Sequence, residues 1–145
     1  MQNKKAEKYL RDGVLLLNNG ELEQAIEKFD QSIDLDGSLV EAYINRCEAY
    51  TFKGDNNKAI ADATKALMLD PQNLGAFVDR SAVHINKLDF EKAFLDADRA
   101  ISIDPKSAAA FLNRGAAHRG LGRVRMALGD FNKAISIDPQ YPLAY

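Results

Sequence analysis

The chain has 145 residues, 46% of them hydrophobic and 28% charged, an ordinary balance for one domain or one stretch of a repeat array. Its net charge of −2 argues against a general nucleic-acid binder, which needs a dense basic surface. The lone cysteine, Cys47, excludes an internal disulfide, the opening MQNKKAEKYL lacks the apolar run of a signal peptide, and no segment could span a bilayer, which together fit a reducing, cytoplasmic setting.

Taken in chain order, the apolar spacing predicts eight helices in four pairs. After an N-terminal extension over 1–5, a helical pattern fills about 6–18, breaks at Asn18-Asn19-Gly20 and resumes over 22–35. The next pair covers about 40–52 and 56–69, around the break Gly54-Asp55-Asn56. A third covers about 74–86 and 90–103, around Leu88-Asp89, and a fourth about 108–120 and 124–137, around Gly120-Leu121-Gly122. Ser38, Asn73 and Ser107 are placed to cap the first helix of the unit that follows each of them, and the acidic residues after the breaks to start the second helices. No stretch alternates as a strand would.

The second helices end on one phrase: IDLD before Gly37, LMLDP at Pro71, and ISIDP at Pro105 and Pro139, each 34 residues from the last. Proline has no N–H and disfavours helix in the residue before it, so each phrase is a stop. A fixed period of this length signals an array whose units bury their apolar faces only against neighbours. The units are therefore set at 6–39, 40–73, 74–107 and 108–141, with 142–145 opening a fifth. There Tyr145 stands at position 4, and Pro142 suits a first helical turn. Laid over one another, the units repeat an aromatic at position 4 (Tyr9, Tyr43, Phe77, Phe111). They repeat small residues at position 8 (Gly13, Cys47, Ser81, Gly115), position 20 (Ala25, Ala59, Ala93, Ala127) and position 27 (Ser32, Ala66, Ala100, Ala134).

These residues resemble the tetratricopeptide repeat family over 6–141. The resemblance implies an all-α, right-handed superhelical solenoid of antiparallel helix pairs, with a concave groove lined by the first helices. Departures are few: Gly37 replaces the terminal proline, Leu16, His84 and His118 replace an aromatic at position 11, and Arg123 replaces an acid.

Position 7 reads Asp12, Arg46, Arg80, Arg114, and position 23 reads Lys28, Asp62, Asp96, Asp130. Both change sign together in the first unit, so the residues are expected to pair within each hairpin, as four attractive pairs. They belong to structure, not to a recognition ladder.

A stripe at positions 2, 5, 6, 9, 12 and 13 of the first helices faces the groove in the family. It varies from unit to unit, as a ligand-facing surface does and as an idle one also does; the apolar residues it keeps favour use. The residues expected to touch a partner are Glu41, Asn45, Glu48, Phe52, Asp79, Ile85, Asn113 and Arg119. Asn45 and Asn113 suit the backbone amides of a bound segment, unless position 6 merely tolerates asparagine. One branch of the family grips acidic chaperone tails with lysines and arginine at positions 2 and 6; of its clamp only Asn45 is present, so that mode is not expected. The slightly acidic stripe suits a protein or peptide partner with apolar anchors and a basic residue.

No catalytic, cofactor or metal set emerges. His84 and His118 lack recurrent ligands at metal spacing and read as replaced packing aromatics. Cys47 sits at a small-residue position, and the glycines from Gly115 to Gly122 lie in a helix and its turn, not after a strand. The expected function is a non-enzymatic interaction module, a scaffold or adaptor without nucleic-acid or membrane insertion. The alternative is a self-assembly element that oligomerises through its repeat ends. The last unit leaves Leu128, Phe131, Ile135 and Ile137 without a following helix, which predicts self-association at that edge.

Overall fold

A computed structural model describes residues 1–141; the expected opening of a fifth unit at 142–145 lies outside the described residues. Among those described, eight helices follow one another: α1 (Gln2–Asn18), α2 (Leu22–Leu35), α3 (Val40–Lys53), α4 (Asn56–Leu69), α5 (Leu74–Asn86), α6 (Phe90–Ile103), α7 (Ala108–Gly120) and α8 (Val124–Ile137). They divide into two compact units, 1–76 and 77–145. In the first, α1 packs on α2, α3 on α4, and the two hairpins meet through α2 and α3. In the second, α7 packs on α8 and also on α6.

The turns explain the breaks. In each break the residue two places before the second helix adopts a left-handed backbone: Gly20, Gly54 and Gly122 at φ 80°, 81° and 76°, and Leu88 at 63°. Glycine takes that conformation without a Cβ clash, whereas Leu88 takes it at a cost and stays exposed. At the other end of each hairpin the terminal Asp is extended, as a residue before proline must be. Its carboxylate accepts from a backbone N–H two residues on, at 2.9 Å for Asp36, 3.4 Å for Asp70 and 3.0 Å for Asp104 and Asp138. Asp36 makes this turn before Gly37, so the aspartate shapes it even where proline is absent. The Ser38 hydroxyl and N–H both bond Asp36 and hold its carboxyl below the usual carboxylate range.

Capping departs from expectation in two places. Asn73 and Ser107 do cap, accepting from Ala76 and Ala110 N–H at 2.9 and 3.2 Å. Ser38 does not: it lies one residue short of the cap, which is Leu39, and donates to Asp36 instead. Nor do Asp55 and Asp89 make side-chain caps for α4 and α6; as charges near helix N-termini they still complement the helix dipole.

Helix spacing within a hairpin is set by a trade of volume between positions 8 and 24. A Cβ added to Gly13 would stand 2.5 Å from the Phe29 ring, and one added to Gly115 would stand 2.6 Å from Phe131. Where position 8 is larger, Cys47 and Ser81, position 24 shrinks to alanine, Ala63 and Ala97. All four of these are buried, and Ser81 turns its hydroxyl to the Ala93 carbonyl at 2.9 Å. Ser32 likewise donates to the Ala6 carbonyl at 2.8 Å between α2 and α1.

The charge ladder forms in three hairpins of four. Arg46 reaches Asp62, Arg80 reaches Asp96 and Arg114 reaches Asp130, each through a pair of bonds at 2.7–2.8 Å. Two arginines also bridge to the preceding hairpin, Arg46 to Asp30 at 2.7 Å and Arg114 to Asp98 at 2.8 Å. Burial pushes the Asp62 carboxyl up and Arg46 opposes that, while both aspartates hold the Arg46 guanidinium protonated. The expected Asp12–Lys28 pair is not made. Lys28 Nζ lies instead over the Tyr9 ring, 5.3 Å from its centre, within cation–π reach.

Two outcomes follow from this packing. Gly115→Ser should destabilise the chain by about 1–3 kcal/mol through overpacking. Adding Phe131→Ala, which recreates the Ser81/Ala97 pairing, should recover much of that loss in urea unfolding; a purely additive double variant would refute the volume trade. Arg46→Ala, which strands Asp62, should cost about 1–3 kcal/mol, whereas Arg119→Ala should stay within about 0.5 kcal/mol, measured the same way.

Candidate functional site

In the first unit, the stripe residues Glu41, Asn45, Glu48 and Phe52 lie on α3. Glu41 and Glu48 are exposed, and Phe52 is 65% exposed at the end of the helix. The Asn45 amide donates to the Glu41 carbonyl at 2.8 Å, so one of its donors is spent on its own helix.

In the second unit the stripe becomes a concave site. A trough of about 580 Å³ opens between α5, α7 and α8. From α5 come Ala82, Ile85 and Asn86; from α7 come Leu112, Asn113, Ala116 and Arg119; from α8 come Leu128, Phe131, Asn132 and Ile135. Ile85, Leu112, Leu128, Phe131 and Ile135 make apolar walls, and the two alanines let a ligand approach the helix backbones closely. The lining holds three carboxamides and one guanidinium, with no carboxylate. Asn113 is fixed by donating to the Val78 carbonyl at 3.0 Å. Arg119 is exposed, with its guanidinium carbon 5.9 Å from the centre of the Phe131 ring. The size and the few convergent polar groups suit a ligand segment.

Of the residues expected to touch a partner, the structure therefore brings together Ile85, Asn113 and Arg119. Asp79 is half-buried on α5 and does not line the trough. The sequence places Leu128, Phe131 and Ile135 at an edge and not with the stripe; in the structure they form the third wall of the trough. The signal was available, because the matching Ile26 and Phe29 of the first unit lie under the next hairpin. Ile137, expected at the open edge, packs instead against the cluster of Ala108, Phe111, Leu112 and Ala134.

Beneath α5 and α7 stand the two histidines. His84 and His118 are buried, with Nε2 at 3.8 Å from Asp96 and 3.7 Å from Asp130, beyond hydrogen-bond length; each Nδ1 makes no hydrogen bond, that of His84 standing 3.9 Å from Asp89. His118 stacks obliquely on Phe94, ring centres 5.1 Å apart. They fill the aromatic place that Tyr50 holds on α3. Among the described residues no group of three or more His, Cys, Asp or Glu is arranged to hold a metal. A second, polar hollow on the first unit is lined by Asp30, Asp34, Arg46, Tyr50, Lys58, Ala61 and Asp62, and its chemistry is the ion-pair network already described.

Residues 40–73 and 108–141 each match a family model described as tetratricopeptide repeat. The chain is built of tetratricopeptide repeats, and proteins made of them are in general scaffolds for protein–protein interaction. No curated protein matches it in sequence. Among solved structures, a crystal structure of MamA is similar at TM-score 0.85 and 25% identity, over 93% of this chain and 79% of that one. The pilF protein of Pseudomonas aeruginosa is similar at TM-score 0.89 and 19% identity, over 99% and 65%. A thermophilic tetratricopeptide protein of Thermus thermophilus is similar at 0.83 and 20%, over 92% and 75%. No helix among the described residues is long and apolar enough to cross a membrane.

Burial holds both histidines below the ordinary imidazole range, against the pull of Asp96 and Asp130. The folded chain thus keeps them neutral at a pH where the unfolded chain already takes up protons. Stability should be full above the unfolded imidazole value of about 6.5 and fall as the pH drops below it. Replacing both with tyrosine, as at Tyr50, should flatten the melting temperature between pH 7 and pH 5; an unchanged slope would assign the acid sensitivity elsewhere.

Proposed function

We propose that this chain is a non-enzymatic interaction module that holds a partner segment in the trough of its second unit. The observation that carries this is the joining of α5, α7 and α8 into one apolar channel with amides and a guanidinium at its lining. A channel of this kind recognises side-chain anchors and orients them by a few polar contacts. The stripe on α3, with Glu41, Glu48 and Phe52, is a separate contact surface whose carboxylates suit a basic residue of the partner.

The rival reading, end-to-end self-assembly, finds less support on α1. Two helices that stack on a preceding hairpin bury alanine at two places seven residues apart, Ala42 and Ala49 on α3, Ala110 and Ala117 on α7. In those places α1 has Lys8 and Leu15, the latter 63% exposed. It has Asp12 where Arg46 and Arg114 reach back to an aspartate, and α8 offers Asn132 where Asp98 stands. Stacking α1 of one copy on α8 of another would insert two large side chains and form neither bridge.

Peptides selected on the chain from a random displayed library test the reading. They should bind in calorimetry and weaken by about tenfold or more with Ile85→Lys or Leu128→Asp, since apolar anchors dominate such contacts. Binding indifferent to both variants would refute the site.

A further inference from the structure

We propose that the trough takes one amphipathic helix of a partner protein, with small residues seven apart on its buried side and an acidic residue for Arg119. This rests on the interaction reading above and adds the shape and charge of the occupant.

The shape comes from the chain's own packing. Ile26 of α2 and Leu128 of α8 occupy the same place in their units. Beneath α3, Ile26 is 8% exposed; Leu128 is 56% exposed. The buried residues of α3 in that first core are Ala42 and Ala49, both fully so, with Tyr50 packed against its side. Small side chains let one helix lie against another at short distance, and a spacing of about seven residues returns them to one face. The face of α8 repeats the surface that α3 covers, so a helix of the same kind is its natural complement.

The charge comes from the lining. Arg119 is the charged residue there, makes no ion pair among the described residues, and is braced on Phe131. On α3, Glu41 and Glu48 share the stripe to which Arg119 belongs on α7. A helix docked as α3 docks on α2 would carry acids at those places towards that stripe. Recognition is then of an internal acidic side chain, since the lysines of a terminal-carboxylate clamp are absent.

The probe is a synthetic peptide of residues 38–55 with Cys47→Ser, capped at both ends. It carries Ala42, Ala49, Glu41 and Glu48. A second peptide has Glu41→Lys and Glu48→Lys. With the full chain, the first should bind about five- to tenfold more tightly at low salt, a gap that narrows as salt is added. Arg119→Glu, an exposed change, should reverse the order. Leu128→Asp should abolish binding of both, with the melting curve checking that the variant stays folded. If both peptides bind alike, or Arg119→Glu leaves their order intact, the acid requirement fails while the interaction module stands. If neither binds, or Leu128→Asp has no effect, the docked helix itself is wrong. If the chain alone dimerises with concentration and Leu128→Asp makes it monomeric, a second copy is the occupant and the proposal is overturned.

Discussion

Everything in this chain depends on how closely adjacent helices approach. Each hairpin is a pair of amphipathic helices too short to be stable alone, so the apolar faces must meet at contact distance or not fold at all. That distance is kept by pairing a large residue with none: Phe29 with Gly13 and Phe131 with Gly115, each too near for even a methyl group between them. In the middle hairpins the same space is shared by two medium residues, Cys47 with Ala63 and Ser81 with Ala97. Close packing tolerates either solution because total volume is what it conserves.

The ion pairs are a second constraint laid over the first. A buried carboxylate such as Asp62 is unfavourable unless held, and Arg46 holds it with two bonds while a third reaches Asp30 on the neighbouring hairpin. One guanidinium thereby fixes both the pairing inside a hairpin and its register on the one before. The first unit has no hairpin before it in the described chain, and there the arginine is replaced by Asp12. Lys28, freed of a partner to match, settles over Tyr9.

The periodic part of this architecture was legible because it is written four times. Helix limits, small positions and arginine–aspartate pairs all recur, and recurrence separates a structural requirement from chance. What was not legible lies where a single residue decides. Ser38 looks like a cap but sits one place early, and only the path of the backbone through Asp36 and Gly37 reveals it. The opposite charges of Asp12 and Lys28 imply attraction, yet charge says nothing about whether a ring nearby offers a better contact. The trough was half legible. The stripe gave Ile85, Asn113 and Arg119, but its third wall belongs to second helices, whose apolar positions read as core in every unit.

That third wall carries the functional argument. The positions by which α2 accepts α3 are the positions by which α8 lines the trough, so a ligand there would meet the same surface that stacking uses. A ligand that satisfies this surface must supply what a neighbouring repeat supplies: a helix, small side chains at the contact, and an apolar face. Charge then sets which helix of that shape is preferred. At two junctions, position 7 of the incoming helix brings an arginine to an aspartate, Arg46 to Asp30 and Arg114 to Asp98. At α8 the aspartate has become Asn132, and the charge left in the lining is the positive one of Arg119. An incoming basic residue finds no carboxylate in this lining, and an acidic one finds a guanidinium. The surface thus keeps the shape of a repeat junction and adds a guanidinium to it, so that among helices of suitable shape one with an acidic residue facing Arg119 is favoured.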